Sequence, residues 1–233
     1  PHAQLNFVRF VPESNWLVMV REPLQSCESL ARSSYLEKDY DGIIHAIVTV
    51  LFQIDNIVFH NERSVGLRLE DLKQRPQSVM AAICDWMGIE ETESLYEMTA
   101  QGKYWWGDLS SPDLRKDHMT PFGKASINRK LGSVFSDNDQ TILRTLFYPF
   151  SVIFGYRDEN LEQFKIDLKS IRPMLDDMFD FEKALEKERH ANDQKLLKSG
   201  SFQFFRACLI NRWNTLNEFH TYPSLLKPLA IDI

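Results

Sequence analysis

Cysteine is scarce in this sequence, with Cys27, Cys84 and Cys208 the three copies among 233 residues. An odd number at such wide spacing excludes a disulfide framework and a structural zinc site, and makes a reducing cytoplasm the expected compartment. Long apolar runs are missing as well. The richest, around residues 43–52, is interrupted by His45 and Thr49 and falls short of the ~20 residues that a membrane span needs. Basic charge is not in excess either. The 27 Lys+Arg stand against 33 Asp+Glu for a formal net charge of -6, which argues against a nucleic-acid partner and requires any anionic ligand to find a local group of cations. There is no internal repeat, and the opening PHAQLNFVRF lacks the basic, apolar and small-residue regions of a secretory leader. Because the first residue is Pro1 and not methionine, the chain is expected to begin inside a larger coding region or after a processed segment.

What is present is 43% hydrophobic and 12% aromatic, enough for one large globular domain or a domain with an appendage. The run WLVMV at residues 16–20 has the length and valine content of a buried parallel strand, and Pro23 sits where a first helical turn tolerates proline. From residue 40 to about 59, Ile43, Ile44, Ile47, Val48, Leu51 and Ile54 recur at three- and four-residue steps, predicting a buried helix. Val65, Leu67 and Leu69 alternate as in a strand that Glu70-Asp71 closes. Pro76 then opens a helix with Val79, Ile83, Trp86 and Met87 as its apolar stripe and Gly88 as a left-handed stop. Two strand-to-helix units in succession predict an α/β domain with a largely parallel sheet. Residues 96–128 lose periodicity and read as a lid or binding loop. Ser136 is a good N-cap for a helix carrying Ile142, Leu143, Leu146 and Phe147 before Pro149. Residues 160–189 return to helical spacing. The apolar FQFFRACLINRWNTLNEF is expected to pack on the domain or on a second subunit.

The stretch that carries chemistry is WLVMVREPLQSCESLARS. In open α/β sheets, ligands sit beyond the carboxyl ends of strands, where helix N-termini present free N–H groups. Arg21 lies at that edge. A helix starting near Pro23 puts Ser26, Ser29 and Ser33 on one face and turns Leu24, Cys27 and Leu30 toward the sheet. A guanidinium forks onto two phosphate oxygens and a helix hydroxyl adds a further bond, so Arg21 with Ser29 suits a phosphate monoester. The competing reading pairs Arg21 with Glu22 or Glu28 and leaves the serines as a solvated face.

Taken together, this strand, Arg21, the proline and Ser29 resemble the 3′-phosphate-binding segment of sulfotransferases that use 3′-phosphoadenosine 5′-phosphosulfate (PAPS). Three later stretches resemble that family in the same order: VGLRLEDLKQRPQSVMAAICDWMGIE, KASINRKLGSVFSDND and LRTLFYPFSVIFGY. The likeness covers about residues 1–156. It implies a P-loop-type, doubly wound, mostly parallel sheet flanked by helices over 1–156, with residues 157–233 as a helical C-terminal extension. It further implies that Arg21 and Ser29 hold the cofactor's 3′-phosphate, that Lys124 and Arg129 close over it, and that His2 is the candidate general base. His118 is a weaker candidate base, and His45 reads as a core residue. Leu69 stands where many family members place a tyrosine near adenine, a contact that Trp105 or Trp106 could supply instead.

The implied reaction moves a sulfuryl group from PAPS to a hydroxyl or amine of a small-molecule or glycan acceptor, releases PAP, and requires no metal. One family element is missing from the sequence: no glycine-rich loop carrying Lys-Ser/Thr precedes Trp16. Either that half lies upstream of Pro1, or the chain does not transfer sulfate. The alternatives are a non-catalytic binding domain that forms a homo-oligomer through its C-terminal extension, and a P-loop small-molecule kinase using Glu70 and Asp71.

Overall fold

A computed structural model describes residues 10–11, 13–53, 63–97, 99–100, 103–104, 122, 127, 131–188, 195–218 and 226–231. Among them the chain is mixed α/β and mostly helical, built on a small three-stranded parallel sheet. Strand β1 (Trp16–Val20) leads into helix α1 (Pro23–Leu36) and the antiparallel α2 (Tyr40–Gln53). Strand β2 (Ser64–Arg68) runs parallel to β1 with Leu17 opposite Val65 and Met19 opposite Leu67. The third strand, β5 (Lys227–Pro228), comes from near the end of the sequence and lies on the other side of β2, also parallel. A short hairpin, β3 (Thr99–Ala100) with β4 (Lys103–Tyr104), stands apart from this sheet.

Side-chain alternation divides the sheet. Trp16, Val18 and Val20 face the main core, which α1, α2 and the later helices fill. Gly66 sits on that same face, where a Cβ would come within 2.6 Å of the Phe154 ring; only glycine lets the ring close on the strand. The opposite face carries Val65 and Leu67, which pack with Val79 and Trp86 of α4 (Pro76–Met87) and with Leu229. Helix α4 ends at Gly88 in the left-handed conformation, φ 68°, as the sequence suggests.

Several expectations are corrected by packing. Strand β2 stops at Arg68, and Leu69 starts a one-and-a-half-turn helix, α3 (Leu69–Gln74), because Glu70 and Asp71 favour a helix N-terminus. On α1 the buried positions are Leu24, Cys27, Glu28 and Ala31, while Leu30 is 55% exposed. The stripe is rotated by one residue because the Glu28 carboxylate accepts the Ser133 and Val134 amides at 2.5 and 3.2 Å. His45 is exposed, since the α2 stripe of Ile43, Ile44, Ile47, Val50 and Leu51 faces the other way. Met87 likewise lies outside its helix's buried stripe.

Helix α5 (Asp137–Leu146) is capped by Ser136 in a reciprocal capping box with Asp139. Pro149 does not end the helical run; it enters the first turn of α6 (Tyr148–Ile153), where its missing N–H has no partner to lose. Residues 160–189 are not one helix. Pro173 breaks them into α7 (Leu161–Ile171), a 3₁₀ turn at Arg172–Leu175, and α8 (Asp180–Glu188). Helix α9 (Gly200–Glu218) then crosses back over α2 and α5. Asp139 of α5 accepts the backbone amides of Asp180 and Phe181 at 2.7 and 3.0 Å, and Trp213 of α9 donates to the Leu168 carbonyl at 2.7 Å. Phe164, Leu168, Phe181, Phe205 and Leu216 therefore belong to the same apolar core as Leu24 and Ile47. Among the described residues no helix is long and apolar enough to cross a membrane.

Candidate functional site

The carboxyl ends of β1 and β2 release two segments side by side, and each is held by a carboxylate. After Val20 the chain turns through Arg21 and Glu22 into Pro23, and the Glu22 side chain caps α1 by accepting the Gln25 amide at 2.7 Å. After Arg68, the first turn of α3 presents Glu70, which is 8% exposed. Its Oε1 accepts the Glu22 amide at 3.3 Å and its Oε2 accepts the Tyr156 hydroxyl at 2.8 Å. The two strand ends are thus tied to each other and to Tyr156, three residues beyond the end of α6.

Arg68 completes this knot. It donates to the Phe154 carbonyl at 3.1 Å, pairs with Asp71 at 3.2 Å, and lies over the Tyr156 ring with its guanidinium carbon 4.7 Å from the ring centroid. Burial, then the nearby Glu70 charge, pushes the Tyr156 hydroxyl well above the usual phenol range. Burial also raises the Glu22 carboxyl, against the stabilising Gln25 amide. Tyr156 is therefore a hydrogen-bond donor and not a base.

Arg21 is half-buried and points across the strand ends. Its Nη2 donates to the Gln25 side chain at 3.1 Å and to the Ile127 carbonyl at 3.4 Å. Beside it lies a cavity of about 80 Å³ lined by Met19, Val20, Arg21, Ser26, Val50, Leu69, Phe150 and Leu226. Among the described residues Arg21 and Ser26 are its polar side chains, and the others that line it are apolar. The space is large enough for a group of phosphate size.

Of the residues expected from sequence, Arg21 stands at this cavity. Ser29 is half-buried one turn further along the same face of α1, and it is Ser26 that lines the space with Arg21. Leu69 is there too. Lys124, Arg129, His2, His118, Trp105 and Trp106 lie outside the described residues, as does most of the loop at 96–128. Ile127, between Lys124 and Arg129 in sequence, is described and buried, and its carbonyl is the one that Arg21 reaches.

Sequence reasoning missed the Glu22, Glu70 and Tyr156 network. The available signal was a glutamate immediately before a helix-opening proline, with a second glutamate at the next strand's end. Their meeting needs the parallel pairing of β1 with β2. Searches against protein-family models, curated proteins and solved structures find no match for the chain.

Proposed function

We propose that this chain binds a 3′-phosphorylated adenosine nucleotide at the carboxyl end of β1, as the nucleotide-holding part of a PAPS-dependent sulfotransferase of doubly wound α/β type. The observation that carries the reading is Arg21 beside Ser26 at a strand's carboxyl end, over a cavity of phosphate size at the start of α1. A guanidinium and a hydroxyl converge there on one small space, and a helix N-terminus adds a favourable dipole. Under this reading the purine lies outward from the cavity, past Leu69.

Under this reading Ser29 extends the hydroxyl row of α1. Lys124 and Arg129, which flank Ile127 in sequence, close over the phosphate. The complete reaction breaks the bond between sulfur and the phosphate oxygen of PAPS, forms a bond from sulfur to an acceptor hydroxyl or amine, and releases PAP. The acceptor proton passes to a base, for which His2 is the candidate. The glycine-rich loop that cradles the transferred group in such enzymes does not occur within residues 1–233, so the proposal for this chain is binding, with transfer requiring that element.

Thermal unfolding with PAP, AMP and ATP tests the reading. A ligand at ~100 times its dissociation constant adds about 2.7 kcal/mol to the folded state. The expected result is stabilisation by PAP that AMP does not reproduce and that Arg21→Ala abolishes. Equal responses to PAP and AMP would refute a 3′-phosphate site.

A further inference from the structure

The two edges of the parallel sheet are built differently. On the β5 side, the Leu229 amide donates to the Gly66 carbonyl at 2.8 Å, so the alternating backbone turns Pro228 outward. Proline has no N–H, and its neighbour Lys227 is charged and exposed. That edge is closed to a further strand by the means natural sheets use.

The β1 edge has neither safeguard. The Trp16 amide donates to the Arg63 carbonyl at 2.8 Å, which turns the backbone of Trp16, Val18 and Val20 toward β2 and that of Leu17 and Met19 away from it. Among the described residues no strand pairs with that side. The same two residues carry the exposed side chains of the strand, Leu17 at 38% and Met19 at 44%. They continue the face that α4 covers over β2 but not over β1. Parallel strands are ordinarily buried on both faces; among the described residues nothing covers one face of β1 or pairs along one of its edges.

We infer that β1 pairs antiparallel with β1 of a second copy of this chain about a two-fold axis through Val18. The geometry is self-complementary. Leu17 of one copy stands opposite Met19 of the other, each such pair exchanges both backbone hydrogen bonds, and the two pairs give four bonds. Directly opposed residues share a face, so two leucines and two methionines close into one apolar cluster, and the two three-stranded sheets become one of six strands. The strand WLVMV has no charge to oppose its own copy. In this register Trp16 of one copy stands opposite Val20 of the other, so every opposed pair of the strand is apolar. An isologous contact of this kind closes on itself and does not propagate into a fibre. Two five-residue strands bury little area, so the dimer dissociates on dilution. The inference does not depend on the nucleotide reading.

Sedimentation velocity and light scattering on the 233-residue chain, over a concentration series, test it against two variants. Leu17→Lys places two like charges across the axis. Leu17→Pro removes an outward N–H and leaves the β1 to β2 ladder intact. The expected result is a mass that doubles with concentration for the wild-type chain and stays at the monomer value for both variants, with the thermal midpoint retained. A monomer at all concentrations overturns the inference, including one that captures another protein's strand. So does a dimer that survives both substitutions, which would place the interface elsewhere, such as on the C-terminal helices. Amide exchange on the wild-type chain gives a reading independent of variant folding: exchange at Leu17 and Met19 slows as concentration rises, and concentration-independent rates overturn the pairing.

Discussion

Removing Arg206 tests how residues 157–233 are joined to the sheet layer. Glu182 of α8 is fully buried and Arg206 of α9 is 5% exposed. Their side chains form an ion pair, Arg206 also donates to the Leu175 carbonyl at 3.4 Å, and its guanidinium lies among the rings of Phe179, Phe202 and Phe205. The carboxylate accepts two further bonds, from the Tyr40 hydroxyl of α2 at 2.5 Å and the Phe179 amide at 2.7 Å. Burial, then the Glu182 charge, pushes the Tyr40 hydroxyl upward, so Tyr40 stays a donor at neutral pH.

Arg206→Met leaves this carboxylate buried without its cation, which costs about 3–5 kcal/mol. For a chain of this size that corresponds to roughly 6–20 °C in the thermal midpoint. Adding Glu182→Gln removes the orphaned charge; its single amide oxygen keeps the bond from the Phe179 amide, and its NH2 group, in place of the other carboxylate oxygen, donates to the Tyr40 hydroxyl oxygen. The double variant is therefore expected to be more stable than Arg206→Met alone, although it carries one more substitution. Urea unfolding of the wild type, both single variants and the double variant closes the cycle. Simple additivity of the two losses, or an Arg206→Met cost below about 1 kcal/mol, would refute the argument, because either result means that the pair is solvated in solution.

Gly66→Ala drives a Cβ against the Phe154 ring, which is 2% exposed and held by Phe150 at a 4.5 Å centroid distance. The expected loss is about 1–3 kcal/mol of stability by denaturant melting, and a neutral result would mean that Phe154 does not pack there. Glu22→Gln tests the desolvated cap at the candidate site. Because burial raises the folded-state pKa of Glu22 above its unfolded value, the native state holds its proton more tightly, so stability falls as pH rises from the unfolded pKa and the loss is complete above the folded pKa. The variant's stability relative to wild type should therefore climb with pH from about 4 and level off above the folded pKa. A flat difference across that window would contradict the assigned burial.

Much of the local structure was legible because it depends on nearest neighbours along the chain. Pro23 and Pro76 opening helices, Gly88 closing one and Ser136 capping another follow from backbone sterics and unsatisfied amides, which need no tertiary partner. The alternation of Val65 with Leu67 likewise marked β2. The errors fall where a distant group competes. Leu30 has the expected apolar character, yet Glu28 takes the inward position because the Ser133 and Val134 amides need an acceptor there. His45 was read as core by its neighbours' company, and α2's exposed face placed it outside.

At the candidate site, sequence singled out Arg21 from its position after an apolar strand, and the chain's own pattern suffices for that. It paired the guanidinium with Ser29, although Ser26 lies on the same face of α1. Only packing against Val50, Leu69, Phe150 and Leu226 placed the cavity at Ser26. The link from Glu70 to Glu22 and Tyr156 was equally beyond the sequence, because it joins residues that are far apart in the chain and meet through parallel strand pairing. The sequence by itself determined the strands, the helix starts and the arginine at a strand's end, all set by local sterics and periodicity. The tertiary structure alone decided which edge of the sheet is open among the described residues, which serine lines the cavity with Arg21, and which buried charges are paired, because each depends on register and contacts between segments that share no local signal.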